Sequence, residues 1–179
     1  MKRSTFKRAR TDARLADAVL PHLDAAYNFA RWLARNDHDA EDIVQEAYLR
    51  AVRYGYSFSG ENPRAWILAI VRNTFYTWRK GNNSTDQSVS FDEELHCAGC
   101  EEGPEARLIR DADAQTVTRA IEQLPAEFRE VIVLREFEDL SYREIARVTG
   151  TPIGTVMSRL ARARAHLRRI IMQRTGAGA

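Results

Sequence analysis

The side chains with the most chemistry to offer gather near the C-terminus. In "SYREIARVTGTPIGTVMSRLARARAHLRR", residues 141–169, seven of the eight charged side chains are arginines and only Glu144 is negative. Guanidinium groups stay protonated at neutral pH, so their chemistry is recognition, with a planar fork of donors that suits phosphate and the edge of guanine. A second reactive set is "HCAGC", where Cys97 and Cys100 have the spacing of half a zinc or redox site beside His96. A closed structural zinc site needs four protein ligands, and the sequence holds no second Cys pair. No basic neighbour lowers the pKa of either thiol. We read them as thiols without a metal or redox role, and no cofactor is expected. His22, His38 and His166 are scattered, and no phosphate-binding Gly loop, zincin motif or Ser/His/Asp set is present. The sequence therefore predicts a binding protein, not an enzyme.

A frame must position those arginines. Ser141 with Glu144 three residues later forms a capping box that opens one helix. Gly150 suits a left-handed stop, and Thr151 then caps a last helix with Pro152 at its first position. Helix, short Gly turn, helix is the helix-turn-helix pattern. In the last helix Ile153, Val156, Leu160, Ala163, Leu167 and Ile170 recur at steps of three and four, which predicts the inward stripe. Thr155, Ser158, Arg159 and Arg162 form the outward stripe near the N-terminus, the part of a recognition helix that meets base edges. Arg164, Arg168 and Arg169 lie further along and suit phosphate contacts. Upstream, "DADAQTVTRAIEQL" predicts one helix and "PAEFREVIVLREF", opened by Pro125, another.

The front half also reads as helices. Leu15, Val19, Leu23, Tyr27, Ala30 and Leu33 keep helical spacing, with Pro21 expected to break or kink the run. "NDHDAED" supplies capping and acidic first-turn residues for a helix through "AEDIVQEAYLRAVRY". On it Ile43, Ala47 and Tyr48 should face inward, while Asp42, Gln45, Glu46 and Leu49 share another face. A third helix starts with Asn62 as cap and Pro63 at its first position, and Trp66, Ile67, Ile70 and Val71 are expected in the core. Nothing reads as a strand, so the fold class is all-α.

Charge divides the chain. Lys2, Arg3, Lys7, Arg8 and Arg10 open it, and arginines close it, yet the net charge is only +2. From Gly81 to Ala106 there is no Lys or Arg but seven acids, without any apolar period. Such a segment cannot offset its ordering entropy, so the sequence predicts a flexible acidic linker at 81–106. It joins a helical domain at 1–80 to a helix-turn-helix domain at 107–179. No apolar run approaches membrane length, and no signal-peptide core follows the basic start. A cytoplasmic protein without membrane insertion is expected.

With these residues in place, a resemblance can be named. "LPAEFREVIVLREFEDLSYREIARVTGTPIGTVMSRLARARAHLRR" resembles the promoter-binding domain of bacterial extracytoplasmic-function (ECF) sigma factors. "DAEDIVQEAYLRA" is similar to their core-binding helix and "FSGENPRAWILAIVRNTFYTWRK" to their −10-recognition segment. The resemblance spans about Leu15 to Lys80 and Asp113 to Arg169. It implies a factor that binds the RNA polymerase core and directs promoter recognition, melting and initiation under an anti-sigma partner. It further implies that Asp42, Gln45, Glu46 and Leu49 meet the clamp helices of the largest polymerase subunit. The loop "YSFSGE" would hold a flipped −10 base, with Phe58 and Asn73 at contact positions. Arg72, Tyr76 and Arg79 belong to the same mixed basic and aromatic segment, of a kind that holds single strands. Two other readings stand beside it: a stand-alone helix-turn-helix regulator, and a thiol- or metal-sensing adaptor centred on "HCAGC".

Overall fold

The structure, a computed structural model, describes residues 17–55, 58, 61–82 and 114–175. The expected linker, apart from Gly81 and Asn82, lies outside the described residues, as do Leu15, His96, Cys97 and Cys100. Among the described residues every regular element is helical.

A short helical turn at 17–19 passes into a 3₁₀ turn, Leu20–His22, with Pro21 in its first turn, and helix α1 (Leu23–Ala34) follows. The proline thus bends the run at its start, as its missing N–H requires. Arg35 ends α1 in the left-handed region at φ 63°, its N–H donating to the Arg31 carbonyl at 2.8 Å. Asn36 then caps α2 (Asp37–Tyr54): its side chain accepts from the Asp39 N–H at 3.1 Å. Asp37 and Asp39 lie in the first turn, where the helix dipole favours negative charge. Helix α3 (Pro63–Asn82) is capped by the Asn62 carboxamide oxygen, which accepts from the Ala65 N–H at 2.9 Å. It continues past Lys80 through the first two residues of the expected linker.

The rear half begins with α4 (114–122) and α5 (Ala126–Ile132), which continues as a π-helical turn, Val133–Phe137. Helix α6 (Tyr142–Thr149) has the predicted capping box in full: Ser141 Oγ accepts from the Glu144 N–H, and Glu144 Oε2 accepts from the Ser141 N–H at 2.7 Å. These bonds, from the Ser141 side chain and backbone first, hold the Glu144 carboxyl below its usual pKa. Gly150 ends α6 at φ 64°, where a side chain would be strained. The last helix, α7 (Ile153–Thr175), starts one residue later than the sequence suggested. Pro152 stands at the cap, with its carbonyl accepting from Thr155 and Val156. The Thr151 hydroxyl instead pairs with the Thr149 hydroxyl at 2.8 Å.

Packing follows the stripes. Ala26, Phe29, Ala30 and Leu33 of α1, Ile43, Val44 and Ala47 of α2, and Ile67, Leu68, Val71 and Phe75 of α3 close a three-helix core. Val156, Leu160 and Ala163 of α7 pack on α5 and α6. Ile153, expected on the inward stripe, faces outward at 41% exposure, as does Leu23 of the helically spaced run at 43%. Trp66 and Ile70 are half-buried at the edge of the core.

The two halves dock. Helix α3 lies against α6, and α1 against α5. Six consecutive residues of α5 and its extension, Arg129 to Leu134, are buried because the front half covers one side and α7 the other. A helix buried all round is normally apolar; here Arg129 and Glu130 are exceptions. The Arg129 guanidinium donates to the carbonyls of Trp32 (3.0 Å) and Leu33 (3.2 Å) at the end of α1, and to those of Glu122 (3.0 Å) and Leu124 (2.9 Å). Burial lowers its pKa to about 10, which still leaves it charged at neutral pH. Replacing Arg129 by Leu strands these carbonyls and should cost about 2–4 kcal/mol in urea denaturation. An unchanged midpoint would mean that Arg129 does not hold the halves together.

Candidate nucleic-acid interface

Three surfaces emerge from this frame, and the predicted residues distribute unevenly over them. On α7, Ser158 and Arg162 are exposed and Thr155 is half-buried, all near the N-terminal end. The Ser158 hydroxyl donates to the Thr155 carbonyl at 3.0 Å, which turns it along the helix. Ile153 and Met157 share this exposed face, where methyl-bearing bases could be touched. Arg168 and Arg169 are exposed further along. Arg164 is tied to Glu136 at 2.7 Å, an exposed pair of small energetic weight. Arg159 departs from the expected outward stripe. Its Nη1 points across the seam to Glu130 Oε1 at 3.3 Å. Position 159 borders the buried stripe of Val156, Leu160 and Ala163, so the neighbouring half decides its direction.

On α3 the residues expected at the −10 element are split in the same way. Asn73 and Arg79 are exposed. Arg72 and Tyr76, one turn apart, both turn to Glu130: Arg72 Nε donates to Oε2 at 2.8 Å and Nη2 to Oε1 at 3.2 Å, and the Tyr76 hydroxyl donates to Oε2 at 3.0 Å. The Arg72 guanidinium also lies 4.6 Å over the Tyr76 ring. Burial, then the Glu130 charge, pushes the Tyr76 hydroxyl up to about 12. Phe58, in the loop before α3, is half-buried and tilted against Trp66 at 5.1 Å between ring centroids, so the ring expected to receive a base packs on that helix. Glu130 itself was read in the sequence only as one residue of a helix; no local signal marks a carboxylate that will collect side chains from two distant helices.

The third surface is an open groove of roughly 580 Å³ between α1 and α2, floored by Leu23, Val44, Tyr48, Leu49 and Val52. Asp24, Glu41 and Gln45 rim it. Ile43 and Ala47 face inward as expected, and the Tyr48 hydroxyl bonds the Val19 carbonyl at 3.2 Å. Asp42 is exposed and Leu49 is 58% exposed. Glu46, expected beside them, is paired with Arg50 at 2.8 Å. An apolar floor with a carboxylate rim fits a partner helix that carries both apolar and basic side chains.

Comparison with known proteins places both halves of the chain in one family. The family described as Sigma-70 region 2 matches residues 18–85, and Sigma-70, region 4 matches residues 114–167. The RNA polymerase sigma-H factor of Pseudomonas aeruginosa is 36% identical over 166 residues, 87% of this chain and 85% of the relative. The ECF RNA polymerase sigma-E factor of Escherichia coli K12 is 37% identical over 134 residues, 70% of each chain. Among solved structures, the sigma factor RpoE of Bartonella quintana, in complex with the anti-sigma factor NepR, has a TM-score of 0.68 and 32% identity, with 86% of this chain and 93% of that chain covered. CnrH, in complex with the cytosolic domain of CnrY, has a TM-score of 0.61 and 25% identity, with 96% of each chain covered. With both sigma-70 regions matched in order and relatives of this identity over most of its length, the chain belongs to the ECF RNA polymerase sigma factors.

Proposed function

We propose a division of labour among the three surfaces. The groove between α1 and α2 receives the clamp helices of the largest polymerase subunit, with Leu49 as an apolar anchor and Asp42 and Gln45 on the same helix face. The α3 face carrying Arg72, Asn73, Tyr76 and Arg79 meets the −10 strand, with Phe58 at its edge. Thr155, Ser158, Arg159 and Arg162 read the −35 duplex, and Arg164 and Arg168 follow its phosphates. The observation that carries this reading is the exposed stripe of Ser158 and Arg162 at the start of a helix set by a capped turn. The chain itself performs no chemistry; the polymerase does. It acts in the cytoplasm, and no helix among the described residues is long and apolar enough to cross a membrane. Because a similar sigma factor is held by an anti-sigma protein, we assign this chain a partner of that kind. A stand-alone regulator of duplex DNA would leave the apolar groove without an occupant.

The groove assignment is checked with Leu49→Asp. Its side chain is largely exposed, so folding should be unaffected, whereas affinity for core polymerase should fall by about tenfold or more. Wild-type affinity in the folded variant would move the core-binding surface elsewhere.

Reading of the −35 element separates two arginines. With core polymerase present, Arg162→Ala should cost about 1–3 kcal/mol at its preferred base pair and relax selection there. Arg168→Ala should weaken all promoters alike and flatten the salt dependence. Transcription from a randomised promoter library measures both, and the same change of preference in the two variants would contradict the division.

A further inference from the structure

The outer face at the start of α7 is divided by chemistry. Helical rotation puts Thr155 and Arg162 on one flank and Ile153 with Met157 on the other. Between the flanks lie Gly154, Ser158 and Ala161, all exposed and short, so the helix can sit close to what it faces. A Cβ added at Gly154 would meet nothing within 4 Å, so packing inside the chain does not require the missing side chain. Ile153 and Met157 are both exposed, while Val156, Leu160 and Ala163 on the opposite side hold α7 to α5 and α6. The surroundings of this apolar pair indicate its occupant. Arg162, Arg168 and Arg169 are exposed on the same helix, and residues 153–175 contain no Asp or Glu. A field of that sign draws a polyanion and opposes a basic partner. On the base edges of a major groove, the apolar group is the C5 methyl of thymine.

We propose that Ile153 and Met157 read thymine methyl groups in the −35 element and so select thymine beside the base pair read by Arg162. The inference rests on the assignment of α7 to the −35 duplex and adds which base that surface selects. Burial of a methyl against the pair removes apolar surface from water on both sides. Cytosine at the same place would offer an amino group, and a purine its N7, to side chains that return no hydrogen bond, so each would lose water without compensation. The two side chains lie four residues apart, about 6 Å along the axis, which is nearly two base steps of about 3.4 Å. Together they therefore cover neighbouring bases. The unbranched Met157 chain can adapt to the groove, whereas Ile153 in the first turn is stiff.

Deoxyuridine differs from thymidine only by this methyl, which makes it the probe. Selection by the holoenzyme from a randomised promoter library should return thymine at one or two positions next to the position that Arg162→Ala relaxes. Replacing those thymines by deoxyuridine should lower holoenzyme affinity for the promoter about fourfold per methyl. With Ile153→Ala and Met157→Ala combined, thymine and deoxyuridine promoters should bind alike. Both positions are exposed and alanine suits a helix, so the variant keeps its fold. Selection without thymine, a wild-type protein indifferent to deoxyuridine, or an equal penalty in the double variant would overturn the proposal. Selection of the wild-type sequence by the double variant would also overturn it and give the apolar pair to a protein partner. An Arg162→Ala holoenzyme that keeps the wild-type −35 preference would instead contradict the assignment of α7 itself, and the proposal with it.

Discussion

Two adjacent residues of opposite charge, Arg129 and Glu130, sit buried in the middle of α5, where six consecutive residues lie between the front half and α7. Neither charge would be tolerated there alone, since an uncompensated buried ion costs several kcal/mol. Each is therefore matched by groups from both halves of the chain. Arg129 takes the last carbonyls of α1, whose partial negative charge suits a cation. Glu130 takes Arg72, Tyr76 and Arg159. Satisfying this pair ties α1 and α3 to the rear half.

The consequence for function is a tension between compactness and reach. A sigma factor must address the −10 and −35 elements together, which places its DNA-binding helices apart along the promoter. The seam holds them together and ties Arg72 and Arg159 to Glu130. The groove between α1 and α2 lies outside the seam, and its apolar floor is open to a partner.

Much of this architecture was legible in the sequence, for a local reason. Asn36, Asn62 and the Ser141–Glu144 box work within four residues, and a single stretch of chain contains all the partners. Thr151 does not cap the last helix because its hydroxyl pairs with that of Thr149, and the first carbonyl of the ladder is that of Pro152. Leu23 and Ile153 obeyed helical spacing but face outward: periodicity identifies an apolar stripe without saying whether the core or a partner covers it. Arg159 and Glu130 lay beyond such reasoning altogether. Their direction is decided by residues 29 and 58 positions away in sequence, across the seam.

The central claim is that docking of the two halves rests on the buried pair Arg129 and Glu130. Spin labels at exposed sites outside the assigned surfaces, Asn28→Cys on α1 and Ala165→Cys on α7 in a Cys97→Ser, Cys100→Ser background, report the separation of the halves. Pulsed electron resonance should give one narrow, short distance in the parent and a broad one in Arg129→Leu. A broad distribution in the parent, or an unchanged one in the variant, would contradict the account.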